Sequence, residues 1–305
     1  MSAQALPYVI LLGFLFGSTL IASRFSVGQF NPLTYIGLRL VIASLCHLTV
    51  YALSSRRRVS RDRLLWRRSA VLGVFGTAIP MTFIVSSLQF QSAGITAALL
   101  TTGPALTVLM AHFFLPDEKM TPRKVLGVIL ALSGALLLTL LGETGLPDVD
   151  QANPLGYLLV FVAMISASSA TIYARKYLRQ FDAFDVASAR MVIAALVVMP
   201  ISLVLVGFDL SAVTVQGYLA LGYASLIGTF SGMMLAFYII QRFGATTSAM
   251  TAFVIPVVAT LGGVLILGEQ ITVGMLVGML LIIAGITIIN QRARPIQTRA
   301  STTLP

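Results

Sequence analysis

The chain has 305 residues, of which 57% are apolar (AVILMFWYC) and only 10% charged, and its net charge is +10. A soluble domain carries roughly 25% charged residues, so this composition excludes a soluble globular fold and points to an integral membrane protein. The arginines lie in short gaps between apolar runs, not along a basic stripe with interleaved aromatics, which excludes a nucleic-acid partner and leaves the lipid bilayer as the partner that explains them.

Apolar windows long enough to cross a hydrocarbon core are predicted at roughly 7–27, 32–53, 69–89, 94–115 and 122–142, then at roughly 154–175, 184–206, 214–238, 245–267 and 272–291. The expected fold is therefore all-α and integral to the membrane, with ten transmembrane helices. Turn and cap signals separate them: Asn31-Pro32, Ser92-Ala93-Gly94, Thr121-Pro122, Pro147, Asn153-Pro154, Asp209 and Gly244. No basic residue precedes the first window, which reads as a span and not as a cleaved signal. Cys46, the only cysteine, lies inside an apolar run, so disulfides and cysteine-rich metal sites are excluded.

With ten spans the two termini share a side. That side holds 17 of the 20 basic residues, including the run from Arg56 to Arg68. Basic residues flanking short loops stay in the cytoplasm, so the N-terminus and C-terminus are expected to be cytoplasmic. Trp66 beside the basic run reads as an interfacial anchor, and the polar tail, 292–305, is expected to be a disordered cytoplasmic extension.

An internal repeat runs through the chain. Arg39-Leu40-Val41-Ile42-Ala43 returns as Arg190-Met191-Val192-Ile193-Ala194 at an offset of 151, and Arg24 maps to Arg175 at the same offset. Gly76-Thr77 maps to Gly228-Thr229 and Pro104 to Pro256 at 152, while Glu118 maps to Glu269, Gly127 to Gly278 and Gly134 to Gly285 at 151. The chain divides into a first five-helix unit, 1–146, and a second, 147–291. Because five is odd, the second unit enters the membrane upside down, and such inverted repeats support alternating access.

This pattern resembles the EamA group of the drug/metabolite transporter superfamily. The resemblance rests on the arginine early in the second helix of each half, the glycine-threonine pair, the proline in the fourth helix, and Glu-x-x-Thr before a glycine-bearing last helix. It covers residues 7–291 and is greatest to bacterial exporters of amino acids, including aromatic ones. It implies a multi-pass protein of the bacterial inner membrane that exports small amphipathic metabolites, most simply amino acids. It also implies a path lined by the first, third, fourth, sixth, eighth and ninth helices. The second half departs by having Asp182-Ala183 in place of Asn31-Pro32 and Gly232 in place of Pro80. The alternative reading is an exporter of drugs or other amphiphiles, or a flippase for a lipid-linked metabolite, which would need a lateral opening between helices.

Candidate site residues follow from stripes at helical spacing. Phe14 and Ser18 lie on the first span, Thr77 and Met81 on the third, Thr101 on the fourth, and Ser166, Ser169 and Tyr173 on the sixth. Tyr223, Phe230, Met234 and Phe237 lie on the eighth. Together they would wall a mostly apolar cavity with a few hydroxyls, suited to an amphipathic small molecule. The competing role for each hydroxyl is close helix packing. Gly127, Gly134, Gly278 and Gly285 are assigned to packing. Pro104 and Pro256 are candidate hinges, with a static kink as the alternative.

All ten acidic residues lie in loops or at span ends, so a carboxylate relay deep in the membrane is not expected and a facilitator needing no proton gradient fits. His47 and His112 fall toward helix ends, where a structural role outweighs a proton relay. No nucleophile-base pair or metal-ligand spacing appears, so no catalytic residue, metal or cofactor is expected. Nothing in the sequence sets an oligomeric state, and a monomer fits. Arg39 lies about 10 Å down its helix, at ~1.5 Å per residue from Pro32, and Arg190 matches it from the other face. Two arginines flanking a central site are expected to act as gates or clamps in preference to anchoring one substrate carboxylate.

Overall fold

The computed structural model describes residues 3–54, 57–116, 118–147, 149, 152–243, 247–248 and 250–291. Among these residues the fold is all helical, with ten rods. They are α1 (Leu6–Val27), α2 (Pro32–Leu53), α3 (Arg63–Ser87), α4 (Ala93–Phe114), α5 (Pro122–Leu140), α6 (Pro154–Tyr177) and α7 (Ala183–Leu205). The eighth, α8, is built from Val215–Tyr223, Ala224–Ser231 and Gly232–Phe243; α9 is Thr251–Leu267 and α10 is Val273–Asn290. Nine are long and apolar enough to cross a membrane. The exception, α9, has 17 residues. The first part of its predicted window includes 245–246 and 249, which lie outside the described residues, as do the Gly244 break and the tail from 292.

Helix starts are set by side-chain caps, of which Asn31, Thr121 and Asn153 lie at breaks read from the sequence. Asn31, Thr121, Asn153, Asp182, Thr214 and Thr272 each accept a backbone N–H with their side chains at the head of a helix. The third helix begins earlier than the hydropathy window. Asp62 caps it by accepting from Leu64 N–H at 2.7 Å. Arg63, Arg67 and Arg68 therefore ride on its first turns, and Trp66 Nε1 donates to the Ser60 carbonyl at 2.8 Å.

Two further features were not predicted. α3 and α8 each carry a π-helical stretch, Val74–Ala78 and Ala224–Ser231, and each stretch contains one of the repeat-related Gly-Thr pairs. The fourth helix is interrupted by a turn at Thr101 and Thr102, and Pro104 sits in the first turn of the Gly103–Phe114 segment, whereas Pro256 lies inside a continuous α9. The two prolines are thus not structurally equivalent.

The halves intercalate. α5 packs on α10, α1 on α9, α2 on α7 and α3 on α6 and α7, so the principal interfaces join one half to the other. α5 and α10 meet at glycines. A Cβ on Gly134 would come within 2.7 Å of the Gly278 carbonyl oxygen, and one on Gly127 within 2.7 Å of the Gly285 carbonyl oxygen. Numbers that rise on one helix and fall on the other make the pair antiparallel, and the glycines let the backbones approach as small residues do in lipid.

Candidate functional site

Between the halves lies a cavity of about 260 Å³ walled by α1, α2, α3, α4, α8 and α9. Its surface is mostly apolar, from residues such as Phe16, Met81, Ile84 and Met233, with Thr19, Ser23 and Thr229 supplying hydroxyls and Arg39 the charge. Arg39 is only 8% exposed. Its Nε donates to Thr229 Oγ1 at 2.7 Å and its Nη1 to Ser23 Oγ at 3.2 Å. The Tyr35 hydroxyl lies 3.3 Å from the same serine. Among the described residues no carboxylate forms an ion pair with Arg39. A guanidinium held by neutral hydroxyls in an apolar wall is therefore a fixed positive charge without a protein counterion.

The predicted site residues are dispersed. Met81 lines the cavity. Ser18 bonds the Tyr223 hydroxyl at 2.8 Å and so ties α1 to α8. Thr101 donates to Ala97 and Ala252 carbonyls, Ser166 to the Phe75 carbonyl at 2.6 Å, and Ser169 to the Ile165 carbonyl. These are ties within or between helices. Tyr173 packs at a tilt against Tyr177, Phe230 stands edge-on to His47, and Phe14 is half exposed. Met234 is half-buried and is not part of the cavity wall. The side chain of Phe237 lies outside the described residues. Thr77 is buried and its hydroxyl has no partner. The sixth helix does not reach the cavity, and the second does, through Arg39.

Both histidines have structural partners. His47 Nδ1 lies 3.1 Å from the Ser188 hydroxyl, and His112 Nδ1 accepts the Met120 N–H at 3.2 Å. Among the described residues no group of histidine, cysteine or acidic side chains could hold a metal.

At the end where α1 finishes, a second cavity of about 370 Å³ is lined by Arg24, Glu269 and residues of the α5–α6 connection. Glu269 is buried, pairs with Arg24 at 3.8 Å, and accepts the Ala93 N–H at 2.9 Å. Burial pushes its carboxyl above the ordinary range, while the amide and Arg24 pull it the other way. At the opposite end Arg175 pairs with Glu118. Arg24 and Arg175 are repeat mates, as are Glu269 and Glu118, so the same ion pair is made twice and each time joins the two halves. The sequence repeat contained this signal, because both mates recur at one offset. Thr229 could likewise have been found as the counterpart of Thr77.

A family model described as the EamA-like transporter family matches residues 4–140 and 154–291. The chain is 26% identical to an uncharacterized transporter, YoaV, of Bacillus subtilis (strain 168), over 91% of this chain and 94% of that one. It is also 26% identical to an uncharacterized inner membrane transporter, YedA, of Escherichia coli (strain K12), over 85% of this chain and 81% of the relative. A solved structure described only as a crystal structure of a protein superposes with a TM-score of 0.64 at 20% identity, covering 92% of this chain and 94% of the other, and it shows the shared fold.

Proposed function

Since the chain belongs to the EamA-like transporter family, we propose that it exports small amphipathic metabolites bearing a carboxylate, most simply aromatic or branched amino acids, by alternating access. The carrying observation is Arg39, a buried cation without an acidic partner among the described residues, in the wall of an apolar cavity between the halves. A carboxylate would complete the charge, and the apolar wall would take the side chain. The volume of about 260 Å³ sits just below the roughly 300 Å³ at which drug-sized sites begin, which favours a small metabolite over a bulky drug. The hydroxyls of Ser23 and Thr229 orient the guanidinium. This gives Arg39 an anchoring role in addition to the clamp role expected of both arginines.

Our reading places both termini in the cytoplasm of a bacterial cell, with the inner membrane as the site of action, on the distribution of basic residues. It needs no proton gradient. Asp185, near the start of α7, accepts from the Tyr51 hydroxyl at 2.5 Å, and Glu143, between α5 and α6, accepts from Thr272; both lie at helix ends. The flippase alternative draws on a groove of about 490 Å³ between α4, α5 and α6, bordered by Leu136, Leu158 and Phe161 on the outer face. That groove contains no charged residue to hold a headgroup, so lipid tails are its natural occupants.

The test is uptake into proteoliposomes. Radiolabelled phenylalanine or leucine should enter faster than into protein-free vesicles, without an imposed pH gradient. Entry no faster than into empty vesicles sinks the substrate assignment, and a strict need for a proton gradient rejects the facilitator mechanism.

A further inference from the structure

The repeat mates of Arg39 and Thr229 are Arg190 and Thr77, and they do not meet. Arg39 Nε and Thr229 Oγ1 are 2.7 Å apart. Arg190 Nε and Thr77 Oγ1, the matching atoms, are each buried without a hydrogen-bond partner. Buried polar groups are rarely left unpaired, because each loses its water and gains nothing in return. Two orphans at positions whose repeat mates are bonded to each other call for a common cause.

The surroundings supply one. Both threonines sit in π-helical stretches, of eight residues where the bond is made and five where it is not. Such stretches concentrate at functional sites and register changes. In the bonded stretch the Thr229 hydroxyl also donates to the Ala224 carbonyl, five residues back, at 2.9 Å. The unbonded pair already lies on touching helices: a Cβ on Gly73 of α3 would come within 2.9 Å of the Arg190 carbonyl oxygen on α7. The open pair thus sits on adjacent helices, as the closed pair does.

We propose that the two arginine–threonine clasps are made alternately: in the opposite-facing state Arg190 donates to Thr77, and Arg39 releases Thr229. The inference rests on the reading of the chain as an alternating-access transporter. An inverted repeat lets the two halves exchange conformations, and of the two symmetry-related clasps, each spanning the halves, one is made and the other is open. The exchange is biased. Arg39 also holds Ser23, whereas the repeat position in the second half is Ala174, which has no hydroxyl. The state with Arg39 clasped is therefore the resting one. Release of Thr229 would withdraw one of the two hydroxyls that orient Arg39 in the cavity, so the exchange would lower the hold on a bound anion as the site turns.

Spin-label distance measurements in lipid nanodiscs test this without any substrate, so their outcome is separable from the substrate assignment. In a Cys46→Ser background, one label pair is placed at Gly28→Cys and Ile271→Cys, and a second at Phe114→Cys and Gln180→Cys, at opposite ends of the bundle. Thr229→Val should move both pairs to a second distance, one lengthening as the other shortens, changing the population ratio by about tenfold or more, as expected for one hydrogen bond to a charged group. Thr77→Val, which removes a bond absent in the resting state, should keep or deepen the parental distribution, and Thr229→Ser should match the parent. If a valine variant fails to fold, the alanine variant lacks the same hydroxyl and replaces it. Thr77→Val shifting in the same sense as Thr229→Val, or Thr229→Val leaving both distances unchanged, would overturn the exchange.

Discussion

Glu269 offers the clearest separation of two forces, because one carboxylate both pairs with Arg24 and caps α4. Replacing it with alanine leaves the Ala93 N–H, on a fully buried residue, without its acceptor. A buried donor left unsatisfied costs about 1–3 kcal/mol. The Arg24 pair is long, at 3.8 Å, and the arginine side chain is 25% exposed, so screening holds its share to about 1 kcal/mol or less. Glu269→Ala should therefore destabilise by about 2–3 kcal/mol, and Glu269→Gln, which keeps an acceptor oxygen, by about 1 kcal/mol. Thermal unfolding in a fixed detergent at pH 7 measures both. The pH dependence adds a control. Because burial raises the folded-state pKa above the ordinary glutamate range, the folded protein holds this proton more tightly than the unfolded chain. Its contribution to stability is full below that value and falls as pH rises through the folded pKa, and this decline should vanish in Glu269→Gln. Equal losses from the alanine and glutamine variants would show instead that the ion pair, and not the cap, carries the energy.

Other expectations follow from packing and capping. A Cβ on Gly285 would fall within 2.5 Å of the Ala131 nitrogen and the Gly127 carbonyl oxygen, so Gly285→Val should destabilise by about 3 kcal/mol or more, read as a lowered thermal midpoint. Asp62→Ala should cost about 1 kcal/mol through loss of the α3 cap, and Asp62→Asn much less, in the same assay. Arg190→Gln should slow transport more than it weakens apparent affinity, since Arg190 is not part of the cavity wall; a pure affinity loss in concentration-dependent uptake would contradict that.

The helices and most of their boundaries were legible because composition and cap residues are local signals. Asn31, Ser92, Thr121 and Asn153 marked starts that the structure keeps. The start of α3 was misplaced because hydropathy discounts Arg63, Arg67 and Arg68, while the Asp62 cap and the helical backbone tolerate them at a polar edge. The cavity wall was harder to read. A stripe of serines looks the same whether its hydroxyls face a cavity or a neighbouring carbonyl, and Ser166 on the Phe75 carbonyl is the second kind. The π-helical stretches had no local signature beyond the matched Gly-Thr pairs, and they rotate the residues after them away from the face that regular helical spacing assigns. The repeat matched Arg24 with Arg175 and Glu118 with Glu269, but which arginine meets which glutamate depends on α1 lying against α9, a fact of tertiary packing.

The central claim is that Arg39 holds the carboxylate of an amphipathic solute. Its most direct test is competition for labelled phenylalanine uptake in proteoliposomes, comparing phenylalanine with its decarboxylated amine in the parent and in Arg39→Gln. The amine should compete at least tenfold more weakly in the parent, and Arg39→Gln should weaken phenylalanine by about 10- to 100-fold, the equivalent of one hydrogen bond to a charged group, while narrowing its advantage over the amine. Equal competition by acid and amine in the parent, or an unchanged preference in Arg39→Gln, would contradict that claim.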